Sequence, residues 1–496
     1  MKRTMITLLT LLVMVLTTSN ALADNVRTSG LYTYEIKGNG TITIIDFDWE
    51  RNQGDIYIPN TIDGYTITAI SPEAFAEKEY DASRSECIVR LPASVTMIGE
   101  KAFMNAPVSA INIPINTQYI GVGAFANCPL SQFNVEPGNP IFATIDGVLY
   151  NKTKKSLVAY PREAGRIVIP EGIVRIDDYA FYGVELVDDT NRQWGIGDML
   201  PSTLVEIGDY AFAESKLGIY SFIPESVTRI GAYAFYNSHL EERGHSIGTA
   251  VVIGNNSLSI GNGAFQNAYL YSKHTEQTKV NAVSIGDNAF SGFTHSAKSH
   301  LFLSSEITSI GLRAFKDINY QQNKIRICLP TDTQVSFIGE EAFALSEVYM
   351  GIIEEGVIGS DYYYSVEDSV FTLPEGITTI ERNAFNAGFY KLHNDTLIIP
   401  EGVNVIEENA FANNENLRIL HLPSTLTTIK AGAFKNTSIS SVTIPVSVNE
   451  IGKDAFDRTD VTLIVEQGSF SALWAQENGY SYKYENNSED DLSWLN

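Results

Sequence analysis

The dipeptide Ala-Phe occurs fourteen times in this chain, at Phe75, Phe103, Phe125, Phe181, Phe212, Phe235, Phe265, Phe290, Phe315, Phe343, Phe385, Phe411, Phe434 and Phe456. Where nothing interrupts the rhythm the step is 22 or 23 residues, as from Phe103 to Phe125, from Phe212 to Phe235 and from Phe434 to Phe456. A period of that size marks a solenoid. Each repeat is one small unit that cannot bury its apolar face alone, and stacking the next repeat on top does so. Such a stack presents a long surface and not an enclosed pocket, so the rhythm constrains function as well as fold.

The unit from Phe434 to Phe456 shows what one coil contains. Its apolar positions are Ile439, Val442, Ile444, Val448, Ile451, Ala455 and Phe456. Val442-Thr443-Ile444 alternates with period two and reads as a short strand, which Pro445 ends because it has no backbone donor. Val448–Ile451 reads as a second short extended piece, and Lys453–Phe456 as a single helical turn. Successive strands would pair as a parallel ladder. The small Ala lets the turn approach the coil axis while its Phe fills the interior. The residue after the coil Ile is Gly in nine of the fourteen units, and Ser71, Asp177, Glu381, Glu407 or Lys430 in the others. Glu and Lys are poor tenants of an obligatory positive-φ site, so this Gly reads as a close approach between coils. The expected fold class is a repeat solenoid, mainly β: a right-handed stack of fourteen to fifteen coils with short parallel strands and single helical turns.

The pattern L/I-x-x-I-x-I-P-x-x-V-x-x-I-G-x-x-A-F resembles the BspA-like leucine-rich repeat, the kind found in bacterial surface antigens, and it runs over residues 56–465. The resemblance implies a secreted or surface-displayed scaffold, often linked to adhesion to host proteins or other cells. It implies no catalytic residues and no cofactor. One departure is visible: the family often has Cys three residues after the Phe, and here only Cys128 does.

Residues 1–23, MKRTMITLLTLLVMVLTTSNALA, carry two basic residues, an apolar stretch and Ala21-Leu22-Ala23, which reads as a secretory signal cleaved before Asp24. No other apolar run is long enough to span a bilayer, so no membrane insertion is expected once the signal is removed. The formal charge is −25, and loss of Lys2 and Arg3 makes it more negative still. That argues against nucleic acid and anionic membranes, which call for Lys/Arg-rich faces. The expected location is extracellular or at the cell surface, with the periplasm as the alternative. Cys87, Cys128 and Cys328 are an odd count, widely spread, and do not read as a disulfide framework.

Residues 24–55 precede the first full coil, and Lys37–Gly40 between two alternating stretches reads as a hairpin cap. Residues 136–165 read as a hairpin-bearing coil without Ala-Phe. Across 182–372 the steps lengthen to as much as 42 residues. Inserts near 184–198, 239–249, 268–281, 293–300, 318–325 and 345–369 are expected to form loops along one side. At the far end, 466–484 reads as a cap helix, with Ser469 as N-cap, followed by a strand; 485–496 reads as an acidic tail.

If the coils are aligned on the Pro that ends the first strand, the residue two before it points outward. That column reads Tyr57, Arg90, Asn112, Asn134, then Val168, Met199, Phe222, Val252, Phe302, Cys328, then Thr372, Ile398, His421, Thr443, with Asn134, Val252 and Phe302 placed by pattern because their coils lack the Pro. It is polar at both ends and apolar in the middle. Two readings compete: an exposed protein-binding strip, or a strip that the inserts of the same region cover. The candidate partner-binding residues are Val168, Met199, Phe222, Val252 and Phe302, with Tyr362, Tyr363 and Tyr364 at the tip of the longest insert.

His239, His245, His274, His295 and His300 gather in the same stretch, but none has ligand spacing on a firm element, so no metal site is assigned. No nucleophile elbow, zincin helix, phosphate-binding loop or dinucleotide fingerprint is present, and the chain does not read as an enzyme. The function expected is a secreted or cell-surface scaffold that binds protein on a host or neighbouring cell. The alternative is a glycan- or envelope-associated structural protein that binds through its Tyr-rich inserts.

Overall fold

The computed structural model describes residues 25–485 apart from 80, 82, 166–167, 187–198, 220–222, 243–250, 272–276, 296–298, 319–324, 331–332, 351–370, 389–394 and 458–459. The chain is a β-solenoid of about fourteen turns with almost no helix. It divides into two compact units, Met1–Leu186 with Gly208–Ser215, and Val187–Ile207 with Lys216–Asn496.

Within each unit the coils repeat one plan. A first strand pairs in parallel with its counterparts: in the first unit Ile56–Tyr57, Cys87–Arg90, Val108–Ile113 and Gln132–Val135 form one sheet. The Pro that follows opens a turn, with the amide three residues on donating to its carbonyl (Val95 to Pro92 at 3.0 Å, Thr117 to Pro114 at 3.1 Å, Val448 to Pro445 at 3.1 Å). A two-residue second strand comes next, such as Met97–Ile98 or Thr428–Ile429, and also stacks in parallel.

The Ala-Phe segment is not the single helical turn that its sequence suggests. It is a run of overlapping turns with left-handed residues two before and two after the Phe, such as Lys101 and Asn105, Tyr233 and Asn237, or Asn409 and Asn413. Asp454, inside the expected helical turn Lys453–Phe456, has φ 52°. These reversals aim each Phe inward and free its amide, which donates to the Ala carbonyl of the next coil (Phe103 to Ala124 and Phe434 to Ala455, both 2.8 Å).

The result is a stacked aromatic spine in each unit. In the second unit the rings from Phe235 and Phe265 through to Phe434 and Phe456 succeed one another at 5.0–5.4 Å, tilted by 2–16°. That spacing follows from the parallel ladder, whose strands lie about 4.8 Å apart. In the first unit Phe47 extends the stack beyond Phe75, at 4.7 Å. There the coil lacking Ala-Phe carries a meander, Phe142–Ile145, Val148–Asn151 and Ser156–Ala159. Tyr160 takes the place of its Phe, stacking on Phe181 at 4.4 Å and donating its amide to the Ala180 carbonyl at 2.8 Å.

The coil glycines have the reason the sequence suggested. None of Gly99, Gly121, Gly208, Gly261, Gly286, Gly311, Gly339 or Gly452 has positive φ. A Cβ at Gly99 would stand 2.3 Å from the Pro72 nitrogen of the preceding coil, and one at Gly452 would stand 2.3 Å from the Ala431 nitrogen. Three residues after the Phe, a short donor serves the Phe carbonyl: Ser238 to Phe235 at 2.8 Å, Thr437 to Phe434 at 2.9 Å, Cys128 to Phe103 of the coil before, and Asn414 to both Phe385 and Phe411. The family's Cys at this position is thus one of several side chains able to bond that carbonyl.

The first unit begins with an antiparallel meander, Val26–Ser29, Tyr32–Ile36 and Thr41–Phe47, whose last strand pairs in parallel with Tyr65–Ile70. The second unit ends in the helix Phe470–Asn478, N-capped by Ser469 and stopped by Gly479 at φ 72°, then the strand Ser481–Tyr484.

Candidate binding surface

The outward column can be followed strand by strand. In the first unit Tyr57 lies beside Arg90, and Asn112 beside Asn134. In the second unit one sheet is formed by Val251–Ile253, Gln277–Val280, Ser299–Leu303, Ile325–Leu329 and Glu347–Met350, and its register reads Val252, Lys279, Phe302, Cys328, Tyr349. Further on, Thr372, Ile398 and His421 align, and Thr443 aligns with Ile464 and Lys483. The sequence alignment missed Lys279 and Tyr349, whose strands lie in stretches read as inserts and carry no Pro. Period-two alternation was the signal that could have placed them.

The candidate residues separate by exposure. Val168 is 65% exposed in the first unit and Val252 is 40% exposed in the second. Lys279 and Cys328 are partly exposed. Met199 and Phe302 are buried, at 2% and 5%. Met199 precedes the Pro201 turn and packs inside, and Phe302 has the His300 ring 5.8 Å from its own. These two therefore belong to the packing and not to an exposed strip. Phe222, Tyr362, Tyr363 and Tyr364 lie outside the described residues.

Several stretches expected to be loops begin instead as a further parallel sheet. In the second unit its strands are Lys216–Ile219, His239–Glu242, Tyr269–Tyr271 and Thr294–His295. Leu217, Leu240, Leu270 and His295 share one buried inward column. His239 sits in the neighbouring column with its ring 4.8 Å from Tyr269, and burial holds its pKa below the ordinary value. His300 is on a different sheet, and His245 and His274 lie outside the described residues. Among the described residues no group of three or more His, Cys, Asp or Glu side chains could hold a metal ion.

No disulfide joins Cys87, Cys128 and Cys328. Burial pushes the Cys87 thiol up to about 11 and raises Cys128 further. Neither is a nucleophile at neutral pH. Among the described residues no helix is long and apolar enough to cross a membrane.

Stacked parallel ladders, an inward aromatic spine and a varied outward column define a repeat β-solenoid of the leucine-rich kind. The BspA type leucine rich repeat region matches the chain at residues 68–163, 162–246, 196–259, 258–388 and 336–463, and the chain belongs to that family. Among solved structures it is similar to a leucine rich cell surface protein from Faecalibacterium prausnitzii, with 18% identity, 88% of this chain and 96% of that chain covered, and a TM-score of 0.36. A leucine-rich repeat protein from Bacteroides ovatus has 17% identity, coverage of 92% and 99%, and a TM-score of 0.28. The pneumococcal vaccine antigen PcpA has 13% identity, coverage of 93% and 98%, and a TM-score of 0.23. No curated protein matches the chain.

Proposed function

We propose that this chain is a secreted or cell-surface scaffold that binds protein, serving adhesion to a host or neighbouring cell. The observation that carries this reading is the contrast between the two sides of each strand. Inward positions repeat almost without change, while the outward positions that reach the surface, Val252, Lys279 and Cys328, share no chemistry. The fold fixes the first set and leaves the second free. Free positions about 4.8 Å apart on a rigid frame are what selective recognition of a protein surface requires. The family membership supports display outside the cell.

The test is binding of the purified protein to immobilised extracellular-matrix proteins and to whole neighbouring cells. The proposal expects saturable binding that falls at least about tenfold in a Val252→Asp, Lys279→Glu double variant, the loss typical when an interface anchor of about 1.4 kcal/mol or more is removed. Equal binding by that variant, or no binding by the parent protein, would remove the outward column from the account.

A further inference from the structure

The N-terminal meander does more than cover the first coil. Phe47, at the end of its last strand, caps the aromatic spine of the first unit, and Asp48-Trp49-Glu50-Arg51 then crosses the end of the stack. Trp49 is fixed there: its indole N–H donates to the Phe75 carbonyl at 2.9 Å, and its ring meets Phe47 edge-on at 4.9 Å. Beside it lies a groove of about 430 Å³, lined among others by Thr28, Thr33, Asp46, Glu77 and Lys78. Two ion pairs are set in its walls. Arg84 bonds Glu77 at 3.1 Å, and Arg51 lies 3.6 Å from Asp48 while donating to the Gly30 carbonyl at 3.3 Å. The Thr28 and Thr33 hydroxyls lie 3.2 Å apart on one wall. Asp46 and Glu50 are exposed at the rim.

An end cap needs an apolar cover over Phe47 and Phe75. It does not need a groove of ligand size edged with pre-positioned guanidinium and carboxylate groups. Charge selects the ligand class. Asp46, Asp48, Glu50 and Glu77 face Arg51, Lys78 and Arg84, so the groove is close to neutral, and two of its cations are already paired. A charged ligand gains little from such a lining. A neutral, hydroxyl-rich ligand gains more, because neighbouring guanidinium and carboxylate groups donate to and accept from adjacent hydroxyls. The apolar C–H face of a pyranose can lie on the Trp49 ring, whose π face is the negative end of its quadrupole. We propose that this groove is a binding subsite for a neutral oligosaccharide. It is separate from the protein-binding column and does not depend on it.

Isothermal titration of the purified protein with three neutral hexasaccharides (β-1,4-linked N-acetylglucosamine, β-1,3-linked glucose and α-1,6-linked mannose) tests the assignment. Binding of at least one is expected, weakened about tenfold or more in Trp49→Ala. Because Trp49 also covers the spine, Asp46→Ala and Arg51→Ala serve as a second reading. Each is expected to weaken binding about threefold or more with melting unchanged, as loss of a hydrogen bond would. Val252→Asp is expected to leave saccharide binding intact. Two results would overturn the proposal: no hexasaccharide bound, or binding indifferent to all three groove substitutions.

Discussion

Thr278 occupies an inward position between Val251 and Leu301 of the adjacent coils, is 1% exposed, and among the described residues its hydroxyl meets no hydrogen-bond partner. A buried hydroxyl left unsatisfied is a net penalty that a methyl of the same shape does not incur. Thr278→Val is therefore expected to raise stability by about 1 kcal/mol, seen as a higher midpoint in urea at unchanged slope. A lower midpoint would mean that the hydroxyl is bonded. Gly261 predicts the opposite sign. A Cβ there would stand 2.7 Å from the Gly231 carbonyl carbon and 2.8 Å from the Ala232 nitrogen, both backbone atoms that cannot step aside. Gly261→Ala is expected to lower stability by about 1–3 kcal/mol in the same assay, the range for overpacking. The role of these glycines was legible because Glu and Lys stand at the same position in other coils. The left-handed residues flanking each Phe were not. Their column holds Glu73, Lys101, Tyr210, Arg313 and Asp454 among others, and no shared chemistry announces the conformation. The turn hydrogen bonds and the stacked neighbours impose it.

Elements in this fold are too short to hold alone, and the ladder between coils does the holding. The turns show this with charge. Arg313 Nε and Lys316 Nζ both reach Glu341 Oε2 of the next coil at 2.6 Å, and the bond from Arg313, with that from Lys316, keeps the Glu341 carboxyl below its ordinary pKa of 4.5. A depressed carboxylate contributes stability that is present above its unfolded value and is lost as pH falls through the folded value. Glu341→Gln is expected to melt below the parent protein at pH 7 by about 0.5–1 kcal/mol, and the gap should narrow as pH falls below 4.5. A gap that persists in acid would show that the carboxylate's charge is not what holds the turn. The first strands were legible from alternation ended by Pro, and the coil at Tyr160 from alternation alone. The additional sheet in the second unit was not. Lys216–Ile219, His239–Glu242 and Tyr269–Tyr271 are three or four residues each, too short for a period to declare itself. Only stacking reveals that Leu217, Leu240 and Leu270 form one column.

Across the molecule, function and fold draw on different residues of the same strands. Solenoid class and family follow from inward repetition, which one sequence displays directly. The outward column carries no repetition, so its membership could be read where a Pro or a clear alternation fixed the alignment, and its exposure not at all: Val168 and Val252 face solvent while Phe302 does not. The groove beside Trp49 was invisible to sequence because it arises where the meander folds over Phe75, from residues as far apart as Thr28 and Arg84. The division of labour is that inward positions hold the fold while the exposed outward positions, Val168 and Val252 among them, are free for recognition. It is tested most directly by comparing the chemical stability of Phe290→Ala with that of a Val168→Ser, Val252→Ser double variant. Phe290 is fully buried between Phe265 and Phe315, and its truncation should cost about 3–5 kcal/mol. The outward pair should change stability by no more than about 0.5 kcal/mol per site. If the outward variant were destabilised as much as the inward one, the division of labour between the two faces would be contradicted.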